Sequence, residues 1–432
     1  MITLEEHKSS TGHKPIVALP LPARVYIPLS QHLGKPCLAQ VKAGDAVKTG
    51  QKIAGVEAKV SAPIHASISG KVVSIEDWPH PVAGRFKTVV IESDGLDTKA
   101  YVAPRVPEQV NALTSSQIRT IVFEAGIVGM GGASFPTHVK LEPPKPVDTL
   151  IVNGAECEPY LSGDYRLMVE KTKEIIAGIG LVVKCLGIKN VFIAIEDNKP
   201  EAIKLFRDAI QDTKSLSAAL GAGGIRVLRS AYPQGGEKQL IKNILGKEVP
   251  QGKLPFEVGV LVHNVGTLFA IYEAVYLNKP LYERVVTVGG SCCPDSKNVL
   301  ARIGTPIREL IGWCGPLKEE PAKIIIGGPM MGIAQYTDSV PVIKSTTGIL
   351  LFTKKEAKAV EEEFCIRCGA CVRECPVGLL PCMINLASER KFWDKAKSFG
   401  AADCIECGLC NYVCPAGRRL VQTIKRAKAE IL

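Results

Sequence analysis

No long apolar run interrupts this sequence. Its most apolar stretch, Gly259 to Tyr276, is broken by His263, Asn264 and Glu273, and nothing approaches the ~18 uninterrupted apolar residues that read as a bilayer span. The opening residues, Met1 to Lys14, are polar and charged and lack the apolar core of a secretory signal. A reducing compartment is therefore expected, in which clustered thiols bind metal rather than pair as disulfides. A G-x-G-x-x-G turn after a strand is also missing, which excludes the ordinary dinucleotide fingerprint. Apolar residues at 46% and charged residues at 22% exclude disorder and fibrous repeats.

What is present is cysteine. The chain of 432 residues holds fifteen, too long a chain for a small disulfide scaffold, and long enough at ~150 residues per domain for three or four units. Lysine and arginine (53) outnumber aspartate and glutamate (43), a formal charge of +10 that suits acidic redox partners or an anionic membrane surface, or is simply a solvated basic face.

Eight cysteines form two runs near the C-terminus. The first is Cys365-x-x-Cys368-x-x-Cys371-x-x-x-Cys375-Pro376 and the second Cys404-x-x-Cys407-x-x-Cys410-x-x-x-Cys414-Pro415. This is the bacterial ferredoxin spacing, in which the fourth cysteine of each run ligates the cluster of the other. The spacing assigns Cys365, Cys368, Cys371 and Cys414 to one [4Fe–4S] cluster and Cys375, Cys404, Cys407 and Cys410 to the second. Structural zinc uses paired C-x2-C elements and has no use for the third and fourth positions. In the 28-residue connector, Met383, Leu386, Trp393, Ala396 and Phe399 recur at helical intervals, so one helix is expected there, with Arg390 and Lys391 outward. Cys382 and the remaining cysteines read as structural thiols.

The middle of the chain alternates apolar strands with amphipathic helices. Runs at 149–152, 191–195, 225–228 and 260–262 are continuously apolar, which implies a mostly parallel sheet buried on both faces. Polar, glycine-rich segments follow three of them: Asn153 to Pro159, Tyr232 to Lys238 and His263 to Thr267. Ligands of open α/β sheets sit outside such carboxyl ends. Ahead of them, four glycines (Gly126, Gly129, Gly131, Gly132) open a loop ending at Lys140, in which backbone can approach a ligand and the ammonium can neutralise a phosphate.

These segments, with Phe135-Pro136 and the Glu156-Cys157-Glu158-Pro159 stretch, resemble the FMN- and NADH-binding subunit of respiratory complex I. From its barrel-like start to the cysteine runs the chain looks like the RnfC family, the flavin and iron–sulfur subunit of Rnf ferredoxin:NAD oxidoreductase complexes; only the first fifteen or so residues depart. The resemblance implies FMN binding by Gly129, Gly131, Gly132, Lys140, Asn153, Glu156, Tyr232, Gly235, Glu237, Asn264 and Thr267. It implies NADH contacts by Phe135, through ring stacking, and by Glu158, through its carboxylate. Ala155, Gly236 and His263 depart from the family pattern, which has acidic residues at the first two and asparagine at the third. Cys157 reads as packing.

The same resemblance implies a multidomain α/β and α+β fold: a barrel-sandwich-hybrid domain over 1–105, an FMN/NADH-binding Rossmann-like domain over 106–280, a β-grasp soluble-ligand-binding-like domain over 281–352, and a helical dicluster ferredoxin domain over 353–432. In the first, Lys59 is the nearest candidate for a carrier lysine, but the hairpin is short and a structural or docking role fits better. In the third, Met330 and Met331 read as core. NAD(H) exchanges two electrons as hydride and an iron–sulfur cubane one, and a flavin handles both. The implied protein is an NAD-linked oxidoreductase subunit at the cytoplasmic face of the membrane. Its partners are the other subunits of the complex, NAD(H) and, indirectly, ferredoxin, with no nucleic acid, and the complex couples the transfer to Na+ or H+ translocation. Alternatives built from similar modules are a cobalamin reductase of bacterial microcompartments and an electron-wiring scaffold without nicotinamide chemistry.

Overall fold

The computed structural model describes residues 1–212, 220–357 and 361–431. Its centre is a four-stranded, all-parallel sheet in the order Gly224–Leu228, Asn190–Glu196, Thr149–Gly154, Val260–Asn264. Continuous apolar strands demand cover on both faces, and the helices supply it. Ile151, Val260 and Val262 cluster with Leu240 and Ile241 of helix Glu237–Leu245. Leu150, Val152 and Leu261 join Ile175, Ile179 and Val182 of helix Thr172–Leu186 and Leu268 and Ile271 of helix Val265–Leu277. Each such side chain contributes roughly 1.5–3 kcal/mol on burial. Parallel register sets Asn153 opposite Asn264, so the polar loops gather at one edge of the sheet.

Two antiparallel sheets form the N-terminal β unit. One has the order Arg24–Pro28, Gly84–Ser93, Gly70–His80, Ala46–Val47; the other is Leu38–Ala39, Lys52–Gly55, Ile64–His65. They enclose Val25, Ile27, Ile53, Ile64, Val72, Val89 and Ile91. The chain before them belongs elsewhere: strand Ile16–Ala18 pairs parallel with Lys297–Arg302, and Ile2 bridges to Tyr232.

Residues 281–352 and Ile16–Ala18 build a six-stranded mixed sheet around helix Ile307–Trp313. Here Met330 is half-buried and Met331 is 46% exposed, which corrects their reading as core. Their backbone N–H groups, not their thioethers, make the contacts described below.

The C-terminal unit is helical. The connector between the cysteine runs is two helices, Pro381–Glu389 and Trp393–Ser398, broken where Lys391 takes a positive φ of 58°. Its inward residues are Ile384, Ala387 and Ala396, while Met383 and Leu386 are 39% and 42% exposed. A single helical period drawn across the break places the wrong face inward. Arg390 and Lys391 do face solvent.

Candidate functional site

The crevice lies outside the carboxyl ends of Thr149–Gly154 and Val260–Asn264. The glycine-rich loop forms one wall. Gly129 N–H donates to Phe135 O (2.9 Å), closing the loop on itself, and Met130 N–H donates to Thr267 Oγ1 (3.0 Å), fixing it to the start of helix Val265–Leu277. Among the described residues the N–H groups of Gly131, Gly132 and Ala133 have no acceptor, and the buried hydroxyls of Ser134 and Thr137 are unpartnered. A Cβ on Gly131 would lie 2.8–3.0 Å from the Asn264 side chain, so only glycine fits. Opposite, Lys140 Nζ donates to Glu237 Oε1 (2.8 Å) and Val262 O (3.1 Å), joining the loop to the other two walls. Free N–H donors beside an ammonium suit a phosphoryl group.

Asparagine side chains brace the floor. Asn153 Nδ2 donates to Gly235 O (2.9 Å) and its Oδ1 accepts from Ala155 N–H (3.2 Å). Asn264 Oδ1 accepts from Gly266 N–H (2.8 Å), while Nδ2 donates to Asp164 Oδ2 (2.6 Å). Glu156, at φ 50°, takes the N–H groups of Asp164 (2.7 Å) and Tyr165 (3.0 Å) on its carboxylate, capping helix Gly163–Glu170. Burial, then the Glu156 charge, pushes the Asp164 carboxyl up to about 6. His263, buried with an unpartnered Nε2, is pushed down to about 3 by burial and by Lys140.

Phe135 is half-buried on the glycine wall. Glu158 is held elsewhere: its carboxylate accepts from Met330 N–H (3.1 Å) and Met331 N–H (2.9 Å) in the turn after strand Lys323–Ile326, and burial pushes its pKa up to about 7. Cys157 Sγ accepts from Gly235 N–H (3.4 Å); its thiol, pushed up to about 12 by burial, packs as expected.

The C-terminal cysteines fall into two environments. Cys375, Cys404, Cys407 and Cys410 line one cavity of about 330 Å³, with Leu379, Leu409 and Ile424. Burial, reinforced by the neighbouring thiols, pushes Cys407 up to about 11 and Cys410 up to about 12. These thiols stay protonated until a metal displaces the protons. The donor set of four convergent sulfurs in an apolar shell fits an iron–sulfur cluster. Cys371 and Cys414 share an apolar cluster with Cys382, and Cys371 is pushed up to about 11 by burial and by Cys382. Cys365 and Cys368 are exposed, so the first set is only half assembled around Cys371.

The cavity and the crevice share a wall. Tyr232, 1% exposed, donates its hydroxyl to Cys407 O (2.7 Å), and Gln239 Nε2 donates to Pro376 O (3.4 Å). Gln251 Nε2 and Gly252 N–H donate to the Asp403 carboxylate at 2.6 and 2.9 Å. Gly408, at φ 81°, lies so close to Met330 O that a Cβ would stand 2.5 Å from it. Tyr232, Cys407 and Leu409 form one buried apolar cluster with Cys157 and Met330.

Three family models match in chain order: the RnfC barrel sandwich hybrid domain over residues 2–96, the Nuo51 FMN-binding domain over 122–273, and a 4Fe-4S dicluster domain over 359–418. Over 429 residues the chain is 47% identical to the RnfC-type component of the proton-translocating ferredoxin:NAD(+) oxidoreductase complex of Clostridium ljungdahlii, covering 99% of this chain and 92% of that one. It is 45% identical over 429 residues to the equivalent component of the Na(+)-translocating ferredoxin:NAD(+) oxidoreductase complex of Acetobacterium woodii, covering 98% and 95%. The chain belongs to the RnfC family. Among solved structures, an NAD+-reducing [NiFe]-hydrogenase in the H2-reduced state shares the fold, with a TM-score of 0.53 and 16% identity over 78% of this chain and 69% of that one.

Within this RnfC-family chain, several braces are invisible to motif reading. Lys8, from the opening segment that departs from the family, donates to Glu156 O, and Glu6 carbonyl and carboxylate oxygens accept from Tyr160 N–H (2.8 Å) and Asn198 Nδ2 (2.7 Å). Lys199, 1% exposed, pairs with buried Glu196 (2.8 Å) and donates to Ala155 O (2.6 Å). Arg284 donates to Met130 O (3.4 Å) and to Lys344 O, tying the glycine loop to the six-stranded unit. None sits in a motif; a lysine or arginine in an ordinary stretch gives no warning that it is buried.

Proposed function

We propose that this chain is the peripheral electron-transfer subunit of a membrane-bound ion-translocating ferredoxin:NAD(+) oxidoreductase complex, exchanging electrons between NAD(H) and partner subunits. The observation that carries the reading is the shared wall: a phosphate-suited crevice and a four-cysteine cavity meet across the segment from Tyr232 to Gln239. In this reading FMN lies in the crevice. Gly129, Gly131 and Gly132 let backbone N–H groups reach its phosphate and Lys140 neutralises that charge. Asn153, Glu156, Tyr232, Gly235, Glu237, Asn264 and Thr267 form the walls and floor. Phe135 stacks on the nicotinamide nucleotide and Glu158 supplies a polar contact. Cys365, Cys368, Cys371 and Cys414 hold one [4Fe–4S] cluster, and Cys375, Cys404, Cys407 and Cys410 hold the other.

Bound FMN supplies the conversion between hydride chemistry and single-electron chemistry. The protein's part is to position, to insulate and to tune. The apolar shell of Leu379, Leu409 and Ile424 keeps water from the second set of cysteines. No acid–base residue is required of the chain. No helix among the described residues is long and apolar enough to cross a membrane, and the subunit is held at the cytoplasmic face by its partners. Four units are proposed, at 1–105, 106–280, 281–352 and 353–432, with Ile16–Ala18 lent by the first to the third.

Full-length protein reconstituted anaerobically with iron, sulfide and FMN tests this. About eight irons, one FMN and bleaching of the flavin by NADH are expected. Iron without FMN and without bleaching would favour a wiring scaffold, and rapid reduction of a corrinoid would favour the cobalamin reductase.

A further inference from the structure

We propose that Tyr232 is a positioning residue for electron transfer, fixing the Cys404–Cys410 loop against the crevice so that the cluster on Cys375, Cys404, Cys407 and Cys410 is the one that exchanges electrons with the flavin site, and the cluster on Cys365, Cys368, Cys371 and Cys414 is the distal one. This rests on the proposed function above.

The two sets of cysteines are not placed alike. Tyr232 belongs to the loop that walls the crevice, yet its hydroxyl donates to the carbonyl of Cys407. Seven residues on, Gln239 donates to the carbonyl of Pro376, directly after Cys375. One short segment thus touches both chain stretches that carry the second set. Tyr232 is itself held from the other side, by paired backbone hydrogen bonds with Ile2 (3.1 and 2.8 Å). Its hydroxyl also lies beside the Glu158 carboxyl, which is pinned to Met330 and Met331. Met330 O in turn meets Gly408. The contact is therefore closed on three sides. A buried hydrogen bond to the peptide of a ligand cysteine biases the orientation of that dipole toward the metal centre and so its potential. None of these groups reaches Cys365 or Cys368, which face solvent. The transfer itself moves one electron from donor centre to acceptor centre, with no bond made or broken.

The test uses the full-length, cofactor-loaded protein. The two cluster signals are first told apart with Cys371→Ser, which removes the distal one. Tyr232→Phe should then shift the midpoint potential of the proximal cluster alone in an EPR-monitored titration. It should also slow flavin-to-cluster electron exchange by roughly five- to tenfold, the weight of one hydrogen bond in holding the loop docked, with iron content unchanged. Unchanged potentials and rate, or a shift confined to the cluster on Cys365, would overturn the proposal. Should Tyr232→Phe fail to keep its flavin, Gly408→Ala, outside the crevice, displaces the same loop against Met330 O and should give the same cluster-selective change; a normal rate and normal potentials there would also overturn it. A wild-type protein that takes up no FMN would instead refute the functional reading.

Discussion

Cys407 and Cys410 are buried among apolar side chains, with the Cys407 carbonyl bonded to Tyr232, whereas Cys365 and Cys368, in the other run, face solvent beside Phe364 (93% exposed) and Ile366 (66% exposed). The spacing of the two runs is identical. Their surroundings differ because the second run is packed against the crevice and the turn at Met330, and the first is packed mainly on the helices of its own unit through Cys371. Spacing encodes what a run can ligate. Tertiary contact decides which centre that ligation serves, one facing inward to the flavin and one outward to a partner.

Cysteine replacement offers the largest way to break that comparison. Cys410→Ser should halve the iron and leave the remaining cluster unreduced by NADH on the timescale of turnover. Cys371→Ser should also halve the iron yet leave flavin bound and the inner cluster reducible; iron assay and EPR after NADH addition distinguish the two. Loss of flavin together with iron in Cys371→Ser would mean the units are not independent. Gly131→Val sharpens the division from the other side. Its side chain must displace Asn264, so FMN should be lost on gel filtration while the iron content stays at the wild-type level.

Stability should divide along the same line. Lys199→Ala strands the buried Glu196 carboxylate and should cost about 3–5 kcal/mol, against at most about 0.5 kcal/mol for Ile366→Ser at the exposed run; calorimetry reads both. Glu158 adds a pH dependence. Its folded pKa, about 7, stands above the ordinary value of 4.5, so the folded state holds a proton that the unfolded chain releases as pH rises from about 4.5. Stability is therefore lost across pH 4.5 to 7. Glu158→Gln should match wild type near pH 4.5 and exceed it by up to about 3 kcal/mol above pH 7. A difference independent of pH would show that Glu158 is not held protonated.

Much of this is legible in the amino-acid sequence. The ligand runs declare themselves because cluster ligation is dictated by local spacing, and the four central strands because burial on both faces demands continuous apolar runs. The crevice is legible as loops after those strands. What cannot be read is what depends on distant contact. The hydrogen bond from Tyr232 to Cys407 spans 175 residues. Met330 and Met331 look like core because their type is apolar, yet their peptides, not their side chains, do the holding. The helix break at Lys391 lies in a stretch without proline or glycine, and shifts the apolar period on either side of it. Lys8 and Lys199 become braces only once a separate segment folds over them.

The most direct test is a stopped-flow experiment in which the anaerobic, fully loaded protein is mixed with NADH while flavin absorbance and freeze-quenched EPR are followed together. Flavin bleaching should come first, then the signal of the cluster on Cys375, Cys404, Cys407 and Cys410, then that of the cluster on Cys365. Appearance of the Cys365 cluster signal ahead of the other, or cluster reduction in protein stripped of FMN, would contradict the account.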